Sequence, residues 1–383
     1  MHPQSKRILI LNRTFPPSFG ATGRVACDLA LYLRSKGHKV TVLTTAPKAK
    51  TDKAKNLTVI RLPAPQHPKG IWGYLKINKA MQVRAKKLPA HDIVISMTDP
   101  PLQILSAGKI AKRMKAKHIH WVMDLYPDLL PVLGKDIPRF LFNHFQRKMH
   151  KAMKKADVIV PISKCMARYL THHGLPKNKM TVIENWPDKY LLDDKASQES
   201  LFDDAKFRIL YAGTIGLAHE FDTVITAAIY FQKTDSGIEF VFTGRGRGLS
   251  DFQSKIKNNN LKNIKIISPQ RVQNLPQLME TGDVHLVTMK PKALGKLFPS
   301  KFYSACATAR PVIFIGPLSC DICQKIIDFN CGATIKNGEG QLLVNAIKGY
   351  KTNPDKWYTA SQGAKAVLNN HNPLDQWHDL INS

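Results

Sequence analysis

The chain of 383 residues is long enough for two domains of ordinary size, and 43% hydrophobic content with 22 Gly and 24 Pro marks it as globular. Its apolar runs are short, such as Ile8 to Leu11, Ile93 to Ile95 and Val312 to Ile315, which excludes a bilayer span of about 20 residues. The net charge of +29 is one-sided: residues 1–190 hold 35 Lys and Arg against 10 Asp and Glu, and the remainder carries only +4. Such a field attracts polyanions, and nucleic acid, an anionic leaflet and acidic substrate groups are all open as partners.

In chain order, Arg7 to Leu11 reads as a strand, followed by the loop Asn12-Arg-Thr-Phe-Pro-Pro-Ser-Phe-Gly20-Ala-Thr-Gly23-Arg24. A helix from about Arg24 to Lys36 carries Val25, Leu29 and Leu33 at helical spacing and stops at Gly37. No h-region or small-residue cleavage site precedes the first strand, so the protein is expected to stay in the cytoplasm. Lys39 to Thr44, Leu57 to Arg61 and His91 to Met97 are further strands, the last leading through Thr98-Asp-Pro-Pro101 into a helix to Lys115. Lys117 to Met123 is a strand entering Asp124-Leu-Tyr-Pro-Asp128, and Arg139 to Ala156 is a helix with Phe142, Phe145, Met149 and Met153 on one side. Asp157 to Pro161, a helix from Lys164 to His173, and a strand from Met180 to Glu184 follow. Alternating strands and helices with short links predict a parallel sheet covered on both faces.

The acidic, polar run Asp193 to Asp204 reads as an interdomain linker. Beyond it the alternation repeats. The stretch Arg208 to Ala228 runs an apolar strand into Gly213-Thr214-Ile215-Gly216 and then a helix, a pattern that can present free backbone N–H groups to a diphosphate or simply join strand to helix. Ile238 to Thr243 enters Gly244-Arg-Gly-Arg-Gly248, Ile264 to Ile267 and Asp283 to Thr288 are strands, and Gln273 to Glu280 is a helix. Pro299-Ser-Lys301 opens a helix through Ala309 before Arg310-Pro311 and the strand Val312 to Ile315. The tail Asp355 to Ser383 is helical to Leu368, with Trp357 and Trp377 as anchors. The division expected is 1–190, a basic Rossmann-like domain; 191–206, a linker; 207–354, a second Rossmann-like domain; and 355–383, a helical tail that can return to the first domain.

The six cysteines are scattered through apolar segments and fit reduced, buried thiols; only Cys320 and Cys323 stand at C-x-x-C spacing, short of a metal set. Two doubly wound domains create a cleft between the carboxyl ends of their strands, where such sheets bind ligands. Gly20 to Arg24, Asp124 to Asp128, Gly213 to Gly216, Gly244 to Gly248 and Pro299 to Lys301 all fall at such ends.

The order Phe15-Pro-Pro17 with Gly20 and Gly23, Asp124-Leu-Tyr-Pro-Asp128, Val182-Ile-Glu-Asn-Trp186, Tyr211-Ala-Gly-Thr-Ile-Gly216, Gly244-Arg-Gly246, and Pro299-Ser-Lys-Phe-Tyr303 with Arg310-Pro311 resembles the retaining glycosyltransferases of GT-B fold, glycosyltransferase family four. Within that family it is most similar to bacterial enzymes of O-antigen, capsule and colanic-acid assembly. The resemblance implies an α/β chain of two doubly wound Rossmann-like domains facing across a cleft. It implies transfer of a hexosyl or N-acetylhexosaminyl group from a nucleotide sugar, a UDP-sugar foremost, to a polyprenyl-diphosphate-linked or saccharide acceptor, with no metal and no cofactor.

Under this resemblance Gly213, Thr214, Ile215, Gly216, Gly244, Ser300 and Ser304 bind the donor, and Lys301 and Arg245 place cations on its phosphates. Gly20, Gly23 and Arg24 form the loop closing over the diphosphate from the first domain. Asp124 orients the acceptor hydroxyl or stabilises the oxocarbenium-like transition state, or else caps the following turn, and His120 belongs to the core or supports the site from behind. Family members often carry two glutamates before the last Arg-Pro strand; here Lys296 or Leu297 and Ser304 occupy that region.

A lipid-linked acceptor places the first domain as a peripheral partner on the anionic inner face of the cytoplasmic membrane. Trp72, Leu75, Lys76 and Lys79 are the contact residues expected, unless Trp72 and Leu75 pack inside. Two rivals are a nucleic-acid-binding basic protein, which leaves the paired glycine loops unexplained, and a sugar-nucleotide epimerase of the same fold, which needs no basic acceptor domain. No nucleic-acid partner is therefore expected.

Overall fold

The computed structural model describes residues 5–18, 20–135, 137–192, 201–202 and 205–383. Most of the run read as the linker lies outside these described residues. The first sheet contains β1 (Arg7–Leu11), β2 (Lys39–Ala46), β3 (Lys50–Ala54), β4 (Leu57–Pro63), β5 (Ile93–Met97), β6 (Lys117–Val122) and β7 (Val158–Pro161), in the order β3-β4-β2-β1-β5-β6-β7. Around it stand α1 (Ala21–Ser35), α2 (Gly70–Lys86), α3 (Gln103–Met114), α4 (Arg139–Lys154) and α5 (Lys164–His172). β1 lies at the centre, paired in parallel with β2 through Ile8↔Val40 and with β5 through Ile8↔Ile93. Ile8 and Ile10 enter one core and Leu9 and Leu11 another, the two-residue alternation of a strand buried on both faces.

The second sheet contains β8 (Phe207–Ala212), β9 (Ile238–Thr243), β10 (Ile264–Ile267), β11 (Val284–Thr288), β12 (Val312–Ile315) and β13 (Gly332–Ile335), in the order β10-β9-β8-β11-β12-β13 and parallel throughout. Its helices are α6 (Asp222–Thr234), α7 (Leu249–Asn258), α8 (Leu275–Glu280), α9 (Lys301–Ala307), α10 (Asp321–Phe329) and α11 (Gly340–Thr352), followed by α12 (Pro354–Asn369) and α13 (Pro373–Asn382). Strand order reverses beside β1 and beside β8, so the first strand of each domain delivers its loop to a switch point.

Three local expectations differ from the structure. β3 is an antiparallel edge strand, Lys-Thr-Asp-Lys-Ala, joined to β4 by a turn in which Asn56 takes φ 60°. Its charged, mostly exposed side chains carry no apolar alternation, but they guard the sheet edge. Met180 to Glu184 forms no full strand: Met180 bridges Ile159, and the pairing continues only through Thr181 N–H to Ile159 O at 3.0 Å and Ile183 N–H to Pro161 O at 3.2 Å. Finally, α6 begins nine residues after β8 ends, not directly after a tight turn.

The tail divides between the domains. α12 packs on α9, α10 and α11, whereas α13 crosses back to α1. Trp377 of α13 is fully buried against Trp121, with ring centroids 4.8 Å apart, and Trp121 stacks in turn on Trp186 at 5.8 Å. Between the sheets, Leu125 N–H donates to Lys296 O at 2.8 Å, Cys165 N–H to Asp321 Oδ2 at 2.6 Å and Tyr303 OH to Glu184 Oε2 at 2.8 Å. Lys325 pairs with the same Glu184 at 3.0 Å, and the His371 ring stacks on Tyr303 at 4.5 Å.

Candidate active site

The two glycine-rich loops of the second domain lie backbone to backbone. Gly213 N–H donates to Thr243 O at 2.9 Å, Ile215 N–H to Arg245 O at 3.0 Å and Gly248 N–H to Ile215 O at 3.0 Å. A Cβ at Gly244 would stand 1.8 Å from Gly213 O, and one at Gly246 would stand 2.1 Å from Ile215 O, so neither position admits a side chain. This corrects the expectation of a freely donating loop: the N–H groups of Gly213 and Ile215 are spent on bracing, and the Ile215 side chain is buried in the core. Among the described residues, those of Thr214 and Gly216 carry no hydrogen bond. The amino end of α6 is occupied as well, because Glu220 Oε1 accepts from Thr223 N–H at 2.8 Å.

Both domains line one cleft of about 600 Å³, with Gly213, Thr214, Gly216, Gly246, Arg247, Ser300, Lys301 and Ser304 on one side and Ala21, Arg24, Asp124, Tyr126 and Asp188 on the other. Lys301 is the first residue of α9 and reaches beneath the Gly213 turn. Its ammonium donates to Tyr211 OH and sits 3.7 Å from the centroid of that ring, while Tyr211 OH donates to Thr214 O at 2.7 Å. Burial pushes the Lys301 pKa well below its ordinary value. No carboxylate pairs with it among the described residues, so an entering anion would supply its first counter-charge.

Arg245 is exposed and lies outside the cleft lining; Arg247, two residues on, enters it. Both side chains are exposed, and of the two only that of residue 247 borders the cleft, while the Arg245 carbonyl accepts from Ile215 N–H at 3.0 Å. Gly244 likewise serves by contact with Gly213 rather than by lining the cleft.

Asp124 follows β6, with its N–H held by Thr98 Oγ1 at 3.1 Å. Burial, reinforced by the nearby charge of Asp99, pushes its carboxyl up to about 6. His120, fully buried on β6, has Nδ1 2.9 Å from Ser96 Oγ and 3.1 Å from Ser96 O, and burial lowers its pKa to about 3.

The first-domain loop differs from expectation. Arg24 lines the cleft, yet its guanidinium donates to Trp186 O and Pro187 O at 3.1 Å and pairs with Asp28 at 3.2 Å and Asp188 at 3.6 Å. That charge is already neutralised, so Arg24 fastens α1 to the Asn185–Asp188 turn rather than offering a free cation. Gly23 lets α1 approach the preceding loop, because a Cβ there would stand 2.9 Å from the Thr14 carbonyl carbon, while Gly20 forms the amino cap of α1.

Residues 20–186 match the family described as glycosyl transferase 4-like domain. WcaI of Escherichia coli (strain K12), described as a colanic acid biosynthesis glycosyl transferase, is 22% identical over 406 residues, covering 97% of this chain and 98% of that one. The structure of WaaG, a glycosyltransferase involved in lipopolysaccharide biosynthesis, superposes with TM-score 0.73 at 16% identity, covering 98% of this chain and 99% of that one. Anabaena HepE in complex with UDP and glucose superposes with TM-score 0.72 at 16% identity, covering 99% and 100%. The chain has the GT-B fold of these glycosyltransferases, and its first domain matches a glycosyl transferase 4-like domain.

One further cleft residue was not singled out by the sequence. His219 accepts no proton at neutral pH: burial, with the Lys301 charge, lowers it to about 3, and Nδ1–H donates to Thr288 O at 2.7 Å, leaving Nε2 as an acceptor. Its position three residues after Gly216 was the available signal. Of the two residues expected at the position of a family glutamate, Leu297 lines the cleft, whereas Lys296 lies outside the lining, with Nζ donating to Lys292 O at 3.0 Å and 5.8 Å from the Tyr169 ring centroid.

On the outer face of the first domain, Trp72 of α2 is 75% exposed and Lys76 and Lys79 are exposed beside it. Leu75 instead packs partly buried against the first-domain core, which removes it from the expected contact set. Phe140 and Leu141, opening α4, are also exposed. No helix among the described residues is long and apolar enough to cross a membrane.

Proposed function

We propose that this transferase moves a hexosyl or N-acetylhexosaminyl group from a UDP-sugar to a hydroxyl of a lipid-linked saccharide, with retention at the anomeric carbon, in assembly of a bacterial surface polysaccharide. The observation that carries the reading is the pair of cations, Lys301 and Arg247, lining the second-domain side of a cleft whose opposite wall presents Asp124. As the bond from the anomeric carbon to the diphosphate oxygen breaks, charge grows on the leaving group beside Lys301, Arg247 and the unpaired N–H groups of Thr214 and Gly216. Fixed protein charge then does what a divalent cation does elsewhere, so no metal and no cofactor enter the step. The acceptor oxygen bonds the anomeric carbon on the face the diphosphate leaves, its proton passes to a departing phosphate oxygen, and the Asp124 carboxylate stabilises the cationic sugar. Support for a uridine donor comes from HepE, solved with UDP and glucose. Support for the pathway class comes from WcaI and WaaG.

The acceptor places the basic first domain on an anionic inner leaflet, with Trp72, Lys76 and Lys79, joined by Phe140 and Leu141, as its contact residues. Thermal protection by UDP-sugars but not GDP-sugars, and turnover with a polyprenyl-diphosphate-linked acceptor, test the reading. Protection by neither donor class would end it. Trp72→Ala should weaken co-sedimentation with anionic vesicles.

A further inference from the structure

Two sides of α9 serve different ends. Lys301 and Ser304, three residues apart and so on one side of the helix, both line the cleft. Tyr303 lies on another side, fully buried at the seam between the sheets, and its phenol donates to Glu184 Oε2 at 2.8 Å. Glu184 belongs to the first domain and takes no part in the lining of the cleft. Further groups close on the same pair. Lys325 of α10 stands 3.0 Å from Glu184 Oε2, the His371 ring stacks on the Tyr303 ring at 4.5 Å and 15°, and Phe298, which does line the cleft, stacks on it at 5.8 Å. His371 Nε2 lies 2.6 Å from Asn185 O. A carbonyl only accepts, so Nε2 carries the proton, and Nδ1, 3.7 Å from Glu184 Oε2, keeps its lone pair while the ring is neutral. Burial holds the His371 pKa below its ordinary value, and burial with the Glu184 charge holds the Tyr303 phenol well above its own. At neutral pH the phenol is therefore a donor, and Lys325 is the full counter-charge of Glu184 among the described residues. Glu184 and Asn185 stand shortly before the chain leaves the first domain, and His371 lies in the link between α12 and α13, where it returns.

We infer that Glu184 is a positioning residue for sugar transfer: through the Tyr303 phenol it fixes α9 against the first domain, and so sets Lys301 relative to Asp124. Two residues along a helix are about 3 Å of rise, so a shift of Tyr303 is passed to Lys301 nearly whole. Apolar packing would hold the seam without the desolvation of a carboxylate, an ammonium and a phenol; a directional hydrogen bond adds register. A charge-stabilising group misplaced by about 1 Å can lower a rate about a hundredfold. The inference rests on the proposed transfer only for what Lys301 does in the cleft, because the clamp on α9 is defined by its contacts.

The test uses the full chain, steady-state transfer from a UDP-sugar over a range of donor concentrations, and amide exchange in α9. Tyr303→Phe keeps the ring and its stacking and removes only the hydroxyl. It should lower kcat about ten- to a hundredfold while the donor KM stays within about twofold and the melting temperature falls by no more than about 4 °C. Glu184→Ala should match it, and the double variant should be no slower than Glu184→Ala, since both substitutions remove the same hydrogen bond. Glu184→Gln, whose amide oxygen still accepts from the phenol, should recover at least about threefold of the loss. A pair that only stabilises the fold would lower the melting temperature and leave kcat alone. Unchanged kcat in Tyr303→Phe, multiplied losses in the double variant, or Glu184→Gln as slow as Glu184→Ala would overturn the proposal. If Glu184→Ala fails to fold, Tyr303→Phe decides alone. Amide exchange needs no substrate, and α9 should exchange about tenfold faster in both single variants. If the unsubstituted chain turns over no UDP-sugar while α9 loosens in this way, the transfer reading fails and the clamp stands; unchanged exchange in α9 removes the clamp whatever the donor.

Discussion

At the scale of single residues, the cleft sets two basic side chains without ion pairs among the described residues, Lys301 and Arg247, across from the Asp124 carboxyl, and the role of each should be separable by substitution. Lys301→Ala or Arg247→Ala should lower kcat/KM by about a hundred- to a thousandfold, as removal of one charge-stabilising donor does elsewhere. Arg245→Ala, on the solvent side of the same loop, should stay within about twofold. Steady-state turnover of the nucleotide sugar by the three variants decides it. Nothing in Gly244-Arg-Gly-Arg-Gly248 distinguishes the two arginines, because which of them borders the cleft depends on how this loop docks on the Gly213 to Gly216 loop. Asp124 carries a sign that can be checked twice. Its folded pKa of about 6 lies above the ordinary aspartate value, so the folded state binds the extra proton between those pH values. Stability contributed by the protonated form is therefore lost as pH rises through about 6, while activity that needs the carboxylate is lost as pH falls through it. Asp124→Asn should stabilise the fold by about 1–3 kcal/mol at pH 7.5 in chemical denaturation and abolish most turnover.

At the scale of elements, the paired glycine loops show why conformational freedom is needed at particular positions. Gly244→Ala places a methyl group inside the Gly213 carbonyl, so β8 and β9 must part at their carboxyl ends. The expected cost is about 1–3 kcal/mol in denaturant unfolding, with loss of donor protection in the same sample. Most strands of both sheets were legible as short apolar runs, several ended by Gly, Pro or Asn, and β1 with β8 marked where the cleft must lie, whereas β13, Gly-Ala-Thr-Ile, has too little apolar character to stand out. β3 was not legible, because an edge strand whose job is to repel other edges has no hydrophobic pattern. The loop Gly213 to Phe221 was half legible. Its glycines announced a close approach, but what approaches is a second glycine loop, and Glu220 caps α6 in place of a ligand. α2 illustrates the limit of amphipathic reading, since Trp72 and Leu75 are three residues apart and only the tertiary contacts turn one to solvent and the other to the core.

At the scale of the whole molecule, a continuous set of buried side chains runs from Ile8 through Trp121 to Phe302 and Phe314, so the seam between the sheets is packed as well as hydrogen-bonded. Trp377 closes this core from the carboxyl end of the chain. Trp377→Ala should cost about 3–5 kcal/mol and release α13 from α1, read as a lower melting temperature and faster amide exchange in α1. Because α13 rests on the first domain while α12 rests on the second, the polypeptide crosses between domains twice, once between Asp188, which pairs with Arg24, and Leu191, which packs with Leu210 and Leu278, and again between Asn369 and Pro373. A body joined at one point can swivel in any direction. Joined at two, it turns about the line through both, as a door turns on a pair of hinges. Any change in the width of the cleft that keeps both crossings follows that single arc, which runs between the Lys301 wall and the Asp124 wall.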